Sequence, residues 1–264
     1  MQTRHSTRLA AILAATAAAF TSLPAHAHVG VVNVQTPHAV AAKSYELVLT
    51  IPHGCEATVN GAVAKFDTYK VEVTIPTKPD GTALFTGVRP LMDGLFGKVE
   101  VVSRDSAGNA TKLRWTKTSA AFDSAADDHT YRIALRGTSP NAPFTAIQFP
   151  TTQYCKNGAG PDLSLSWTGA DAPTVKLYPA RVPGWNKYNL SADNEKHTQA
   201  DVQALLSGYF ADAQIVWVGK GAYSANPVTV DKIKALAAKD ATYFELANQS
   251  SVMLHSTDDI WVRY

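Results

Sequence analysis

Apolar and polar residues alternate with a period of two through much of residues 28–165. Tyr45, Leu47, Leu49 and Ile51 alternate with Ser44, Glu46, Val48 and Thr50, which predicts a half-buried strand, because side chains two apart share a face. Val71, Val73 and Ile75 interleave with Lys70, Glu72 and Thr74 until Pro76 ends the run. Val99 and Val101 flank Glu100, and Ser106-Ala107-Gly108-Asn109 turns the chain into a further run over 111–118. The pattern continues over 131–135 and 145–149. Short strands separated by turn residues every 8–12 positions or so predict a β-sandwich.

The period then changes. Gly169-Ala170-Asp171-Ala172-Pro173 reads as a boundary. Beyond it, Thr198-Gln199-Ala200-Asp201 opens a helix, with Thr198 at the N-cap and an acid three residues on. Residues 213–219 read as a buried strand, Thr229 caps a second helix running to about residue 239, and 260–264 form a last strand. The expected fold class is mainly β: an Ig-like or cupredoxin-like β-sandwich over 28–170, then a small α+β module over 171–264.

Residues 1–27 have the features of an export signal. Arg4, His5 and Arg8 precede an Ala/Leu-rich stretch over 9–23, shorter than the 20 or so residues that span a bilayer. Ala25 and Ala27 form the small-x-small pattern read by signal peptidase, so the mature chain is expected to begin at His28, exported and periplasmic, with no membrane anchor. Removing 27 of 264 residues leaves 237 and lowers Lys plus Arg from 24 to 22, because Arg4 and Arg8 leave; this balances the 22 acidic residues. A chain near zero net charge has no bulk attraction to nucleic acid or anionic lipid. Cys55 and Cys155 are the only two cysteines, and in an exported chain an isolated pair points to a disulfide, with a soft copper–thiolate site as the alternative.

Cleavage before His28 changes what that residue offers a metal. An N-terminal histidine presents its α-amine as well as its imidazole, and the amine and Nδ1 close one chelate ring. With unperturbed values of about 8 for the amine and 6.5 for imidazole, little proton displacement is needed near neutrality. Two nitrogens in one plane suit Cu(II).

In order along the chain stand His28-Val29, Ile51-Pro52-His53-Gly54-Cys55-Glu56 and Val71-Glu72-Val73-Thr74-Ile75-Pro76. Gly87-Val88-Arg89-Pro90, Phe149-Pro150-Thr151-Thr152-Gln153-Tyr154-Cys155 and Ser166-Trp167-Thr168-Gly169 follow. This ordered set resembles the YcnI-like bacterial copper-binding family over roughly 28–170. The resemblance implies a β-sandwich that binds Cu(II) through His28 and a nearby carboxylate, with a tryptophan close to the ion. By position these are Glu56, with Glu46 as the fallback, and Trp167. Many relatives carry a C-terminal transmembrane helix, and here residues 171–264 take its place. Asp127-Asp128-His129 has the Asp-x-His spacing of CopC-type copper carriers, so His129 is a further candidate ligand, as is His53 beside Cys55.

The function expected is therefore an exported Cu(II)-binding protein for copper sequestration or delivery, partnered by another periplasmic or membrane copper-handling protein. One alternative is a copper-dependent oxidase acting on polysaccharide, with Trp185 and Tyr188 as a sugar platform. The other is a non-catalytic adhesion or assembly module. Hydrolase chemistry has little support, for there is no Gly-x-Ser-x-Gly elbow and no convincing Ser/His/Asp order.

Overall fold

The computed structural model describes residues 29–32, 39–92, 94–118, 129–156, 161–189, 196–249, 251–253 and 258–264. The alternating runs form the strands they predict. In chain order these are β1 (Gly30–Val32), β2 (Ala39–Val40), β3 (Ser44–Ile51), β4 (Cys55–Val59), β5 (Ala62–Phe66), β6 (Thr68–Thr74) and β7 (Thr86–Pro90). They continue with β8 (Lys98–Arg104), β9 (Ala110–Thr116), β10 (Tyr131–Thr138), β11 (Ala146–Gln148), β12 (Thr151–Cys155), β13 (Leu163–Trp167) and β14 (Thr174–Tyr178).

Two antiparallel sheets make the sandwich, one in the order β1-β3-β10-β7 and the other β13-β12-β6-β9-β8. Their inner faces share one core. Leu47, Leu49, Ile51, Ile133 and Leu135 enter it from the first sheet, and Val71, Val73, Leu113, Trp115 and Trp167 from the second. Fully burying a side chain of this size contributes about 1.5–3 kcal/mol. Phe85 and Phe149 meet edge to face at 5.7 Å within the core. Gly137 stands at an irregularity between β10 and β7, where a Cβ would lie 2.7 Å from the Phe85 ring.

A small third sheet, β11-β14-β2, closes the sandwich, with β14 parallel to β2. Val175 and Leu177 of β14 are buried in the first core. The sandwich therefore reaches past the boundary expected at 170, as far as Tyr178, because β14 completes its core.

The C-terminal part is the expected α+β module. Its elements are β15 (Trp185–Tyr188), β16 (Lys196–Thr198), α1 (Gln199–Phe210), β17 (Ile215–Val218), β18 (Gly221–Tyr223), α2 (Pro227–Lys239), β19 (Phe244–Glu245), β20 (Ser251–Met253) and β21 (Ile260–Arg263). A five-stranded sheet runs β15-β21-β17-β18-β19, and β16 pairs with β20. Helix α1 starts directly after Thr198, as its sequence predicts. Helix α2 starts earlier than expected. Its cap is Asn226, whose side chain accepts a hydrogen bond from the Val228 N–H, and Pro227 takes the first turn, where no N–H is needed; Thr229 lies inside the helix.

The two parts interlock. Phe144 and Tyr178 leave the sandwich to pack with Tyr209, Phe210 and Tyr188 of the second core. Phe144 has φ +65°, an uncommon backbone for a bulky residue, in the turn that carries its ring into this cluster. The Tyr209 hydroxyl donates to the Thr145 carbonyl at 3.0 Å, and the Tyr178 hydroxyl donates to the Gly208 carbonyl. Among the described residues no helix is long and apolar enough to cross a membrane.

Candidate functional site

Strand register gathers three candidate segments at one end of the first sheet. Gly30 pairs with Thr50, and Tyr131 pairs with Ile51, so β1 begins, β3 ends and β10 begins at the same edge. Just past the last pairs, the Thr130 hydroxyl donates to the Pro52 carbonyl at 2.9 Å. His53 follows Pro52 and His129 precedes Thr130, so both imidazoles belong to this edge. His129 is exposed, with its ring 6.2 Å from that of Tyr131. His53 is half-buried, with Nδ1 2.6 Å from the Gly54 carbonyl oxygen, which fixes the ring against its own backbone.

His28 lies outside the described residues, as do Asp127 and Asp128. One peptide link, about 3.8 Å between α-carbons, separates His28 from Val29. Val29 is 2% exposed and packed in the sandwich core. With Gly30 and Val31 it lines a shallow groove whose other wall is Ala170 to Thr174. Asp171 is among the residues of that wall. Trp167, 6% exposed, ends the strand that leads into this wall and belongs to the same core as Val29.

Glu56 and Glu46 are placed differently. Glu56 follows Cys55 on the β4–β5 hairpin, exposed, with Lys65 Nζ at 3.8 Å. Cys55 is bonded to Cys155, and Cys155 pairs with Leu163 while Trp167 pairs with Thr151. The cysteine end of this ladder is thus four residues from Trp167, about 13 Å at 3.3 Å per residue. Glu46 pairs with Arg136, four residues along β3 from Thr50 and away from the end where β1 begins. Among the described residues no group of three or more His, Cys, Asp or Glu side chains is arranged to hold a metal.

The disulfide Cys55–Cys155 forms as expected and joins residues 100 apart. Beside it, Gln153 is fully buried: its amide donates to the His53 carbonyl at 2.7 Å and to Thr68 Oγ1 at 2.5 Å. The strand change from Ile51 to Cys55 is thereby held onto the second sheet, and with it His53.

A second cluster was not signalled by the sequence. Asp67, just before β6, and Lys117, just after β9, are buried side by side, with Nζ 2.5 Å from Oδ2. The Tyr131 hydroxyl donates to Asp67 Oδ1 at 2.5 Å, and Lys117 Nζ donates to the Tyr131 oxygen at 3.0 Å. Polar residues at strand ends read as surface, and only the pairing of sheets reveals that these face inward.

Trp185 and Tyr188 do not form one platform. They are three apart on β15, so the pleat sends them to opposite faces: Trp185 is exposed, while Tyr188 packs on Phe144. The outer face that holds Trp185 also carries Trp261, paired with Lys187 on one side and Trp217 on the other.

No protein-family model matches the chain, and no curated protein matches it. Among solved structures, an uncharacterized protein from Nocardia farcinica, described as revealing an immunoglobulin-like fold, is similar at 18% identity. The match covers 57% of this chain and 98% of that one, with a TM-score of 0.42.

Proposed function

We propose that this chain, once cut before His28, is an exported Cu(II)-binding protein that sequesters or delivers copper. The observation that carries the reading is the burial of Val29 beside a carboxylate-bearing groove. A metal chelated by a chain terminus must hold that terminus still, and this is costly when the neighbouring residues are free to move. Here Val29, the next residue, is anchored in the core, which lowers the cost of ordering an N-terminal chelate before it. Asp171 is the carboxylate that shares the groove with Val29, and it takes the place in this reading that the sequence pattern gives to Glu56. Trp167 lies in the core beneath, where an indole influences the ion's surroundings without donating a lone pair to it. Two hard nitrogens and a carboxylate favour Cu(II), and the carboxylate cancels one charge of the partly desolvated ion. His53 and His129 stand along the same edge as further nitrogen donors. Release would require a partner that competes for the chelate or reduces the ion.

The test adds one residue before His28 in the processed protein and titrates it with Cu(II). Loss of the amine should weaken binding by several kcal/mol, each 1.4 kcal/mol being about tenfold in dissociation constant. Asp171→Asn should weaken binding more than Glu56→Gln. Unchanged affinity in the extended protein would sink the chelate, and a larger effect at Glu56 would return the carboxylate role to the hairpin.

A further inference from the structure

We infer that Lys117 and Asp67 condense to an intramolecular amide, a covalent cross-link between β9 and β6. Three features of the buried cluster point to it. The two groups are already hydrogen-bonded, with Nζ 2.5 Å from Oδ2, and both side chains are shielded, at 2% and 5% exposure. A hydrogen-bond donor, the Tyr131 hydroxyl, is aimed at the other carboxylate oxygen, Oδ1, at 2.5 Å. Aromatic rings pack on the cluster, with the Phe96 ring edge to face on Tyr131 at 5.7 Å and Lys117 Nζ 4.4 Å from the Tyr131 ring centre.

Each feature has a chemical consequence. The hydrogen bond between the two groups is the path by which one proton passes from Nζ to Oδ2, which yields an amine and a carboxylic acid, the pair that can condense. The amine so formed is a nucleophile held beside the carboxyl group it attacks. The Nζ–Cγ bond forms and the carbonyl electron pair moves onto Oδ1, where the Tyr131 hydroxyl stabilises it, as donors aimed at a developing oxyanion do. A second proton then passes from nitrogen to Oδ2, the Cγ–Oδ2 bond breaks, and Oδ2 departs as water. Of the three ammonium protons, two leave in that water and one remains on the amide. Neither oxidant nor cofactor is needed. The opening lined by Leu95, Phe96, Thr130, Tyr131 and Arg132 gives the water a path from Tyr131 to solvent.

The bond would close a loop of 50 residues next to the disulfide, since the Lys156 N–H donates to the Asp67 carbonyl. Lys117 and Asp67 sit at the open end of the β6–β9 ladder, where the Lys117 N–H bonds the Tyr69 carbonyl at 2.8 Å. A covalent tie there would fix the two strands at the point where pairing otherwise stops.

Mass spectrometry of the reduced, fully denatured and trypsin-digested protein reads the outcome directly. The peptide 66–70 should appear joined to a peptide beginning at residue 115, lighter than the two together by about 18 Da, the mass of one water. Trypsin should not cut after Lys117, whose amine is consumed. Lys117→Arg keeps the positive charge beside Asp67 but lacks the primary amine, so it should release peptide 66–70 free. Tyr131→Phe keeps the ring against Phe96 and removes only the oxyanion donor, so it should accumulate the unlinked form at least tenfold over the parent protein. Free 66–70 and cleavage after Lys117 in the parent protein would overturn the cross-link and leave an ordinary buried ion pair. Full linkage in Tyr131→Phe would remove Tyr131 from the chemistry.

Discussion

Glu72 sits directly opposite Arg114 on the β6–β9 ladder, on the outer face of the second sheet. Arg114 holds Oε1 through Nε at 2.7 Å and Nη2 at 2.6 Å, while Lys112 approaches Oε2 at 3.8 Å. Burial by itself pushes the carboxyl up, but the Arg114 hydrogen bond and charge more than offset that and hold it below its ordinary range. A carboxyl depressed on folding adds stability that is fully present above its unfolded value, about 4.3, and is lost as pH falls through the folded one. Glu72→Ala should therefore cost about 1.5–3 kcal/mol at pH 7, the range for a charge-assisted hydrogen bond. The cost should shrink steadily below roughly pH 4. Urea unfolding at pH 7 and near pH 3 measures both, and an equal cost at the two values would mean that the ionised carboxylate is not what stabilises. The sequence shows Glu72 on the polar face of a strand, because alternation reports which face a residue occupies. Its partner was not readable, because alternation carries no information about register between strands 42 residues apart. The same gap hid Asp67 and Lys117, and it left unread that Asp171 and Val29 line one groove.

At the scale of elements, the runs with strict alternation were legible and the hairpin was not. β4 and β5 are mostly exposed and carry no clear apolar stripe, so they lack the pattern that marks β3 or β6. Their signal is in the turn. Val59 pairs with Ala62 across Asn60-Gly61, and both turn residues have positive φ, 51° and 79°. Asn-Gly is the pair that fits a two-residue turn of this kind, because its backbone twist matches that of the strands. Gly61→Ala should destabilise the protein by about 1–2 kcal/mol, the cost of placing a Cβ in left-handed backbone. Thermal unfolding checks the stability loss. Copper titration of the same variant checks something further: if Asp171 is the ligand, a strained hairpin leaves affinity unchanged. The helices show a related lesson. Helix α1 begins right after Thr198, where the sequence predicts it, while α2 starts at the Asn226-Pro227 pair, where a capping side chain and a preset φ coincide, rather than at the later threonine.

For the whole molecule, the question is where the sandwich ends as a folding unit. Composition changes at Gly169-Ala170-Asp171-Ala172-Pro173, and a chain cut at 169 keeps every residue of the family-like pattern. It loses β14, however, and with it Val175 and Leu177, which are 6% and 0% exposed, and the ladder that joins β11 to β2. Deleting two buried aliphatic side chains removes roughly 3–6 kcal/mol of burial, comparable with the whole stability of a typical domain, about 5–15 kcal/mol. It also removes Asp171 and the wall of the groove facing Val29. A chain cut after Pro179 keeps all of these. That cut uncovers Phe144 and Tyr178, whose rings pack against Tyr209 and Phe210, so it should fold with a lower melting temperature than the full chain. The disulfide lies within both truncated chains, and closing a 100-residue loop contributes about 4–5 kcal/mol on the chain-entropy estimate. The expected result is that residues 28–179 unfold cooperatively and bind one Cu(II), whereas 28–169 shows no cooperative transition even with the disulfide formed. Calorimetry and copper titration on the two chains decide it. A well-folded 28–169 would show that β14 is an addition to the sandwich rather than part of its core. A folded 28–179 that fails to bind copper would move the site to the C-terminal module.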